Sequence, residues 1–194
     1  MQKLALILIL FTSSVFIENI NAQKIGVKSN LLYGIVAQSP NIGLEVAINS
    51  KNTIELWGGI NPWNINGNKD NNKKFLHWII EPEWKYWFCS AFNGHYLGIH
   101  GIGAMYNINQ YNVPLLFDKK YRYEGYGAGG GISYGYQWLI GKRWNLEASL
   151  GLGAIFMNYN KYECPQCGFL IEQNKNKIYV GPTKAAVSII YIIK

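Results

Sequence analysis

Cysteine is scarce, acid is outnumbered by base, and no apolar run approaches the length of a membrane-crossing helix: the 194 residues include 3 Cys, 11 Asp plus Glu and 18 Lys plus Arg. Each shortage removes a class. A spanning helix needs about 20 predominantly apolar residues, whereas the greasiest segment, 4–11, gives way at once to Ser13, Ser14, Glu18 and Asn19. Three cysteines cannot by themselves complete a four-ligand zinc knuckle, and none stands near residue 22 to accept a lipid. Lys3, the apolar stretch and Asn21-Ala22-Gln23 instead have the order of a secretory signal. Residues 1–22 are therefore expected to be a cleaved leader, and 23–194 a single domain without linkers.

The formal charge is +7, the pI about 9.2 and the aromatic content 15%. That mixture could suggest nucleic acid, but an export signal argues against it. Anionic lipid head groups or polysaccharide are the more natural counterparts of an exported cation. The sign alone identifies no partner. Mean hydropathy of −0.04 suits strands that dilute each outward apolar residue with an inward polar or small one.

The positive signal is period two. Ile42, Leu44, Val46 and Ile48 alternate with Gly43, Glu45 and Ala47, as on a strand with unlike faces. Similar alternation predicts eight strands over 24–33, 41–49, 52–60, 75–89, 95–108, 123–140, 143–158 and 178–194. Short turns at 50–51, 90–94 and 141–142 alternate with long polar connections at 61–74, 109–122 and 159–177. Only the 34–40 connection is undersized. This is the pattern of an all-β, eight-stranded antiparallel up-and-down transmembrane barrel, with short periplasmic turns and longer extracellular loops. Trp57, Trp63, Trp78, Trp84, Trp87, Trp138, Trp144 and Tyr191 fall near strand ends and are expected to form interfacial girdles. Pro82 cannot donate to a ladder, so a bulge or a local break is expected there.

The same alternation points Lys28, Glu45, Glu55, Glu81, Glu83, Lys85, Glu147 and Lys184 into an interior too narrow for an open channel. They should pair with one another, since an unpaired buried charge costs several kcal/mol. A Glu81 and Glu83 carboxylate pair for catalysis is the functional alternative. Cys164-Pro165-Gln166-Cys167 offers a redox pair, half a zinc site or a local disulfide; an oxidising compartment favours the disulfide. Lys69, Lys73, Lys74, Lys119, Lys120 and Arg122 lie in or beside long connections and are candidates to meet lipopolysaccharide phosphates. His77 is the histidine placed for lipid chemistry at the outer rim, with no evident partner, while His95 and His100 differ in parity. Gly125, Gly127 and Gly130 spell G-x-G-x-x-G inside a strand, without the helix that phosphate binding requires. No cofactor is implied.

A resemblance rests on Lys28-Ser29-Asn30-Leu31-Leu32-Tyr33, Phe92-Asn93-Gly94-His95, Ser133-Tyr134-Gly135-Tyr136-Gln137, Gly141-Lys142-Arg143-Trp144-Asn145-Leu146-Glu147 and Gly181-Pro182-Thr183-Lys184-Ala185-Ala186. The chain resembles a Bacteroidetes family of unknown function whose members look like small outer-membrane barrels and tend to accompany fimbrillin-type surface-fibre genes. The resemblance implies an outer-membrane address and hints at fimbrial or other surface proteins as partners. The expected function is thus non-enzymatic: structural, adhesive or surface-assembling. A lipid-modifying barrel enzyme and a secreted glycan-binding β-sandwich are the alternatives.

Overall fold

A computed structural model describes residues 24–63, 73–112, 116–163 and 168–193. Residues 1–22, Lys69, Cys164 and Cys167 lie outside them. The described residues form β1 (Ile25–Asn30), α1 (Leu31–Val36), β2 (Asn41–Ala47), β3 (Asn52–Asn61), β4 (Lys74–Trp87), β5 (Gly94–Asn109), β6 (Tyr121–Leu139), β7 (Trp144–Glu163) and β8 (Leu170–Ile192). Each strand runs antiparallel to the next, and β8 returns to β1, so a single sheet closes in a ring. No second sheet is stacked on it among the described residues.

Parity decides which side each residue takes. On β3, Thr53, Glu55 and Trp57 are buried while Ile54, Leu56 and Ile60 are exposed. On β4, Glu81, Glu83, Lys85 and Trp87 are buried while Trp78, Ile80, Trp84 and Tyr86 are exposed. The faces are thus inverted relative to a soluble core: charge inside, large apolar side chains outside. Trp57 and Trp87, expected in the girdles, obey parity and point inward. Strand phase overrides residue type at both positions.

Three boundaries differ from expectation. β1 stops at Asn30, whose side chain accepts the Tyr33 backbone N–H at 3.2 Å and caps α1. Much of the expected long connection at 159–177 is ladder: β7 is 20 residues long and β8 is 23. Pro82 leaves the strand whole. β4 stays in register with β3 through Leu56↔Pro82, but its pairing with β5 lapses between Ile80↔Gly103 and Glu83↔His100. The ladder is interrupted there without a register shift, and Gly101 leaves room beside the proline ring. A bulge sits instead in β8, where Gly151 pairs with Lys184 and Leu152 with Pro182, and the β7–β8 register shifts again between Tyr159 and Tyr162.

The interior is layered along the ring axis. At the short-connection end, Trp87, Tyr96, Ala47, Ala91 and Phe92 pack into an apolar floor. The chain at 88–93 folds under the ring to supply it, anchored by Ala91 N donating to Ser50 O at 2.7 Å. At the opposite end, Ile108, Tyr123 and Met157 surround Phe117 from the connection beyond β5. The charged layer lies between these apolar ends.

Candidate functional site

Like charges face one another across three strands: Glu45 pairs in register with Glu55, and Glu55 with Glu83. Directly opposed carboxylates repel, so cations must enter among them. Lys28 Nζ lies 2.7 Å from Glu55 Oε2 and 2.7 Å from Glu147 Oε1, with Glu45 Oε2 at 3.5 Å. Lys85 Nζ lies 2.6 Å from Glu55 Oε2, 2.9 Å from Glu45 Oε2 and 3.0 Å from Glu147 Oε2. Lys184, from the far wall, pairs with Glu81 and stands 2.8 Å from Glu83 Oε2. All eight interior residues expected from the sequence meet in one network. Their five carboxylates outnumber their three ammonium groups.

Neutral donors serve two further carboxylate oxygens, one on Glu45 and one on Glu83. Thr53 Oγ1 donates to Glu45 Oε1 at 2.6 Å, Ser133 Oγ donates to Glu83, and Trp87 Nε1 donates to Thr53 at 3.0 Å. Lys85 Nζ also lies 4.5 Å from the centre of the Tyr96 ring, a favourable place for a desolvated cation. Thr53, Ser133 and Tyr96 were not singled out in the sequence, although inward parity marks all three. The β8 bulge turns the consecutive residues Thr183 and Lys184 inward, and His100 Nε2 lies 2.8 Å from Thr183 Oγ1. Above the network is a cavity of about 180 Å³ lined by Lys28, Tyr33, Trp57, Glu81, Lys184 and Ser188.

His77 has a partner that spacing could not reveal. Its Nδ1 lies 3.1 Å from the Phe75 carbonyl oxygen, which only accepts, so Nδ1 carries the proton. Nε2 then accepts from the Tyr33 hydroxyl at 2.5 Å. His95 faces outward beside Tyr134, and His100 faces inward, so the three histidines share no site. Among the described residues no group of three or more His, Cys, Asp or Glu is arranged to hold a metal. Cys89 is exposed in the connection at the short-connection end.

The candidate basic contacts do not converge. Lys119 and Lys120 are exposed in the turn before β6, while Lys73 Nζ lies 4.5 Å from the Tyr111 ring centre. Arg122 Nη2 pairs with Glu124 at 2.5 Å and its Nε donates to Asn107 Oδ1 at 3.1 Å. Lys74 begins β4, so these cations share the long-connection end without forming one cluster.

No curated protein and no solved structure matches the chain. A family model described as a protein of unknown function, DUF3575, matches residues 5–193, and over that nearly complete span the chain belongs to the DUF3575 family.

Proposed function

We propose that the ring is an integral outer-membrane barrel that serves a structural, adhesive or surface-assembly role without catalysis. The inversion of its faces carries this reading. Burying five carboxylates and three ammonium groups while exposing Ile54, Leu56, Trp78, Ile132, Leu150 and Leu152 is costly in water, and natural against hydrocarbon. On β7 the outward residues from Trp144 through Leu146, Ala148, Leu150, Leu152 and Ala154 to Phe156 are apolar or small, and Asn158 and Asn160 follow. Twelve steps of about 3.3 Å, tilted by about 40°, rise roughly 30 Å, a hydrocarbon thickness. Trp138 and Trp144 then mark one interface and Trp78 and Tyr126 the other.

On this reading residues 1–22 are the export leader, both termini face the periplasm, and the long-connection end faces outward. Lys73, Lys74, Lys119, Lys120 and Arg122 lie where lipopolysaccharide phosphates would be met; Lys69 is proposed as a further contact, and Cys164 and Cys167 are proposed as a local disulfide, on the sequence alone. Fimbrial or other surface proteins are the protein partners. Carbonate washing of host membranes followed by a heat-modifiability gel tests the address. Wash-resistant, heat-shifted protein is expected; protein that stays soluble without detergent overturns the reading.

The Tyr33–His77 hydrogen bond supports a second reading, a lipid-modifying enzyme on the same scaffold. Turnover of labelled lipopolysaccharide that is lost in His77→Ala would favour it, and no turnover by the wild type removes it.

A further inference from the structure

Three successive rows on the outer wall change character in a fixed order. The first joins Trp78, Met105 and Tyr126 across β4, β5 and β6 and ends at Asn158 on β7. The next, one two-residue period farther toward the long connections, joins Leu76, Asn107, Glu124 and Asn160. The third joins Lys74, Asn109, Arg122 and Tyr162. A largely apolar row is thus followed by one in which Asn107 and Asn160 flank Glu124, and then by one that carries the cations Lys74 and Arg122 beside Tyr162 and the buried Asn109, each about 6.6 Å along the strands from the last. The first two rows line a surface groove of about 540 Å³, to which Asn174 of β8 also contributes.

We propose that this groove binds the acylated sugar head group of an outer-leaflet glycolipid. The proposal rests on the membrane reading above. Its acyl chains run down the wall below Trp78 and Tyr126, continuous with the apolar belt. The sugar lies against the Asn107, Asn158 and Asn160 amides and over the Trp78 and Tyr126 rings, 43% and 51% exposed. Each amide spends one polar atom inside the protein, Asn107 Oδ1 on Arg122, Asn158 Nδ2 on Asn176 and Asn160 Oδ1 on the Asn174 N–H. It turns the other, Nδ2, Oδ1 and Nδ2 in turn, to hydroxyl groups. A glycerophospholipid fits less well. Its phosphate would follow the chains immediately and fall at the row holding the Glu124 carboxylate, where the cation that reaches in, Arg122, is already engaged by Glu124 and by Asn107 Oδ1, whereas an uncharged sugar needs no free cation there. Arg122 engages Glu124 at 2.5 Å, so the groove offers amides rather than a bare negative charge.

The test is native mass spectrometry of the full chain, extracted from membranes in detergent, with glucosyl-diacylglycerol and phosphatidylglycerol of matched acyl chains as probes. Wild type is expected to retain one glucosyl lipid with a preference of roughly tenfold, and Asn107→Leu/Asn160→Leu to lose that preference while keeping its heat shift on the gel. Equal retention of both lipids by the wild type overturns the proposal, whatever the variant does. So does an unchanged preference in the folded variant. Binding of free methyl glucoside as tight as that of the lipid would make this a site for soluble saccharide and overturn the lipid assignment. Failure of the membrane reading is separate: it appears in the carbonate wash, before any lipid is added.

Discussion

Lys85 is wholly buried and holds Glu45, Glu55 and Glu147 together within 3.0 Å. Removing one partner of a buried ion cluster leaves the others uncompensated, which costs about 3–5 kcal/mol. Lys85→Met should therefore lower markedly the temperature at which the folded band converts on a semi-native gel. Lys119→Met, in an exposed turn, should change stability by no more than about 0.5 kcal/mol and leave that temperature nearly where it was. Glu81→Ala should act in the direction of Lys85→Met by stranding Lys184 between fewer acids. The wall itself also depends on small residues. Gly131 and Gly153 face each other in register on β6 and β7, and a Cβ added at Gly131 would lie 2.8 Å from the Gly153 Cα. Gly131→Val thus forces two backbones apart, an overpacking cost of about 1–3 kcal/mol that the same gel should read. Gly43 has a different neighbour, the Lys28 stem, whose Cγ a new Cβ would approach to 2.8 Å.

Among the elements, α1 has no buried residue and is held from outside itself: the Asn30 cap at one end and the Tyr33–His77 hydrogen bond across the mouth. Tyr33→Phe should cost about 1 kcal/mol and hasten hydrogen exchange at the Ala37 amide, which donates to Tyr33 O at 2.9 Å; unchanged exchange would show that the helix needs no such anchor. The sequence concealed α1 because Leu31-Leu32-Tyr33 continues the alternating strand by pattern and Gly34 reads as the start of a connection, and only Asn30 signals a cap. β2 to β7 were legible where unlike faces impose alternation. The first half of β8 was not, since Glu172-Gln173-Asn174-Lys175-Asn176-Lys177 has no apolar face. Its backbone ladder with β7 alone makes it a strand. The eight charged interior residues were readable from parity. Tyr33 and His77 lie 44 residues apart, and neither spacing nor composition relates them.

For the whole molecule, the outer connections and the ring differ in what fixes them. A disulfide between Cys164 and Cys167 would staple the connection that joins the two longest strands. Mass spectrometry of the alkylated native chain, with and without reductant, should show two protected thiols and one accessible thiol at Cys89; two further free thiols would defeat the staple. The ring is closed unequally. β6 and β7 are in register from Tyr121↔Glu163 to Leu139↔Asn145, whereas β1 meets β8 only from Gly26↔Ile192 to Asn30↔Ser188 and β2 only from Ile25↔Val46 to Lys28↔Gly43. A ring whose first strand is held by a brief joint on either side has a preferred place to part, because local opening follows the shortest runs of shared hydrogen bonds. These two joints set the clock of the molecule: amides of Val27 and Ser29 should exchange well before those of Ser133 and Leu150, and a first strand drawn from its beginning would peel away from β2 and β8 alike while the broad wall of β5, β6 and β7 still stood.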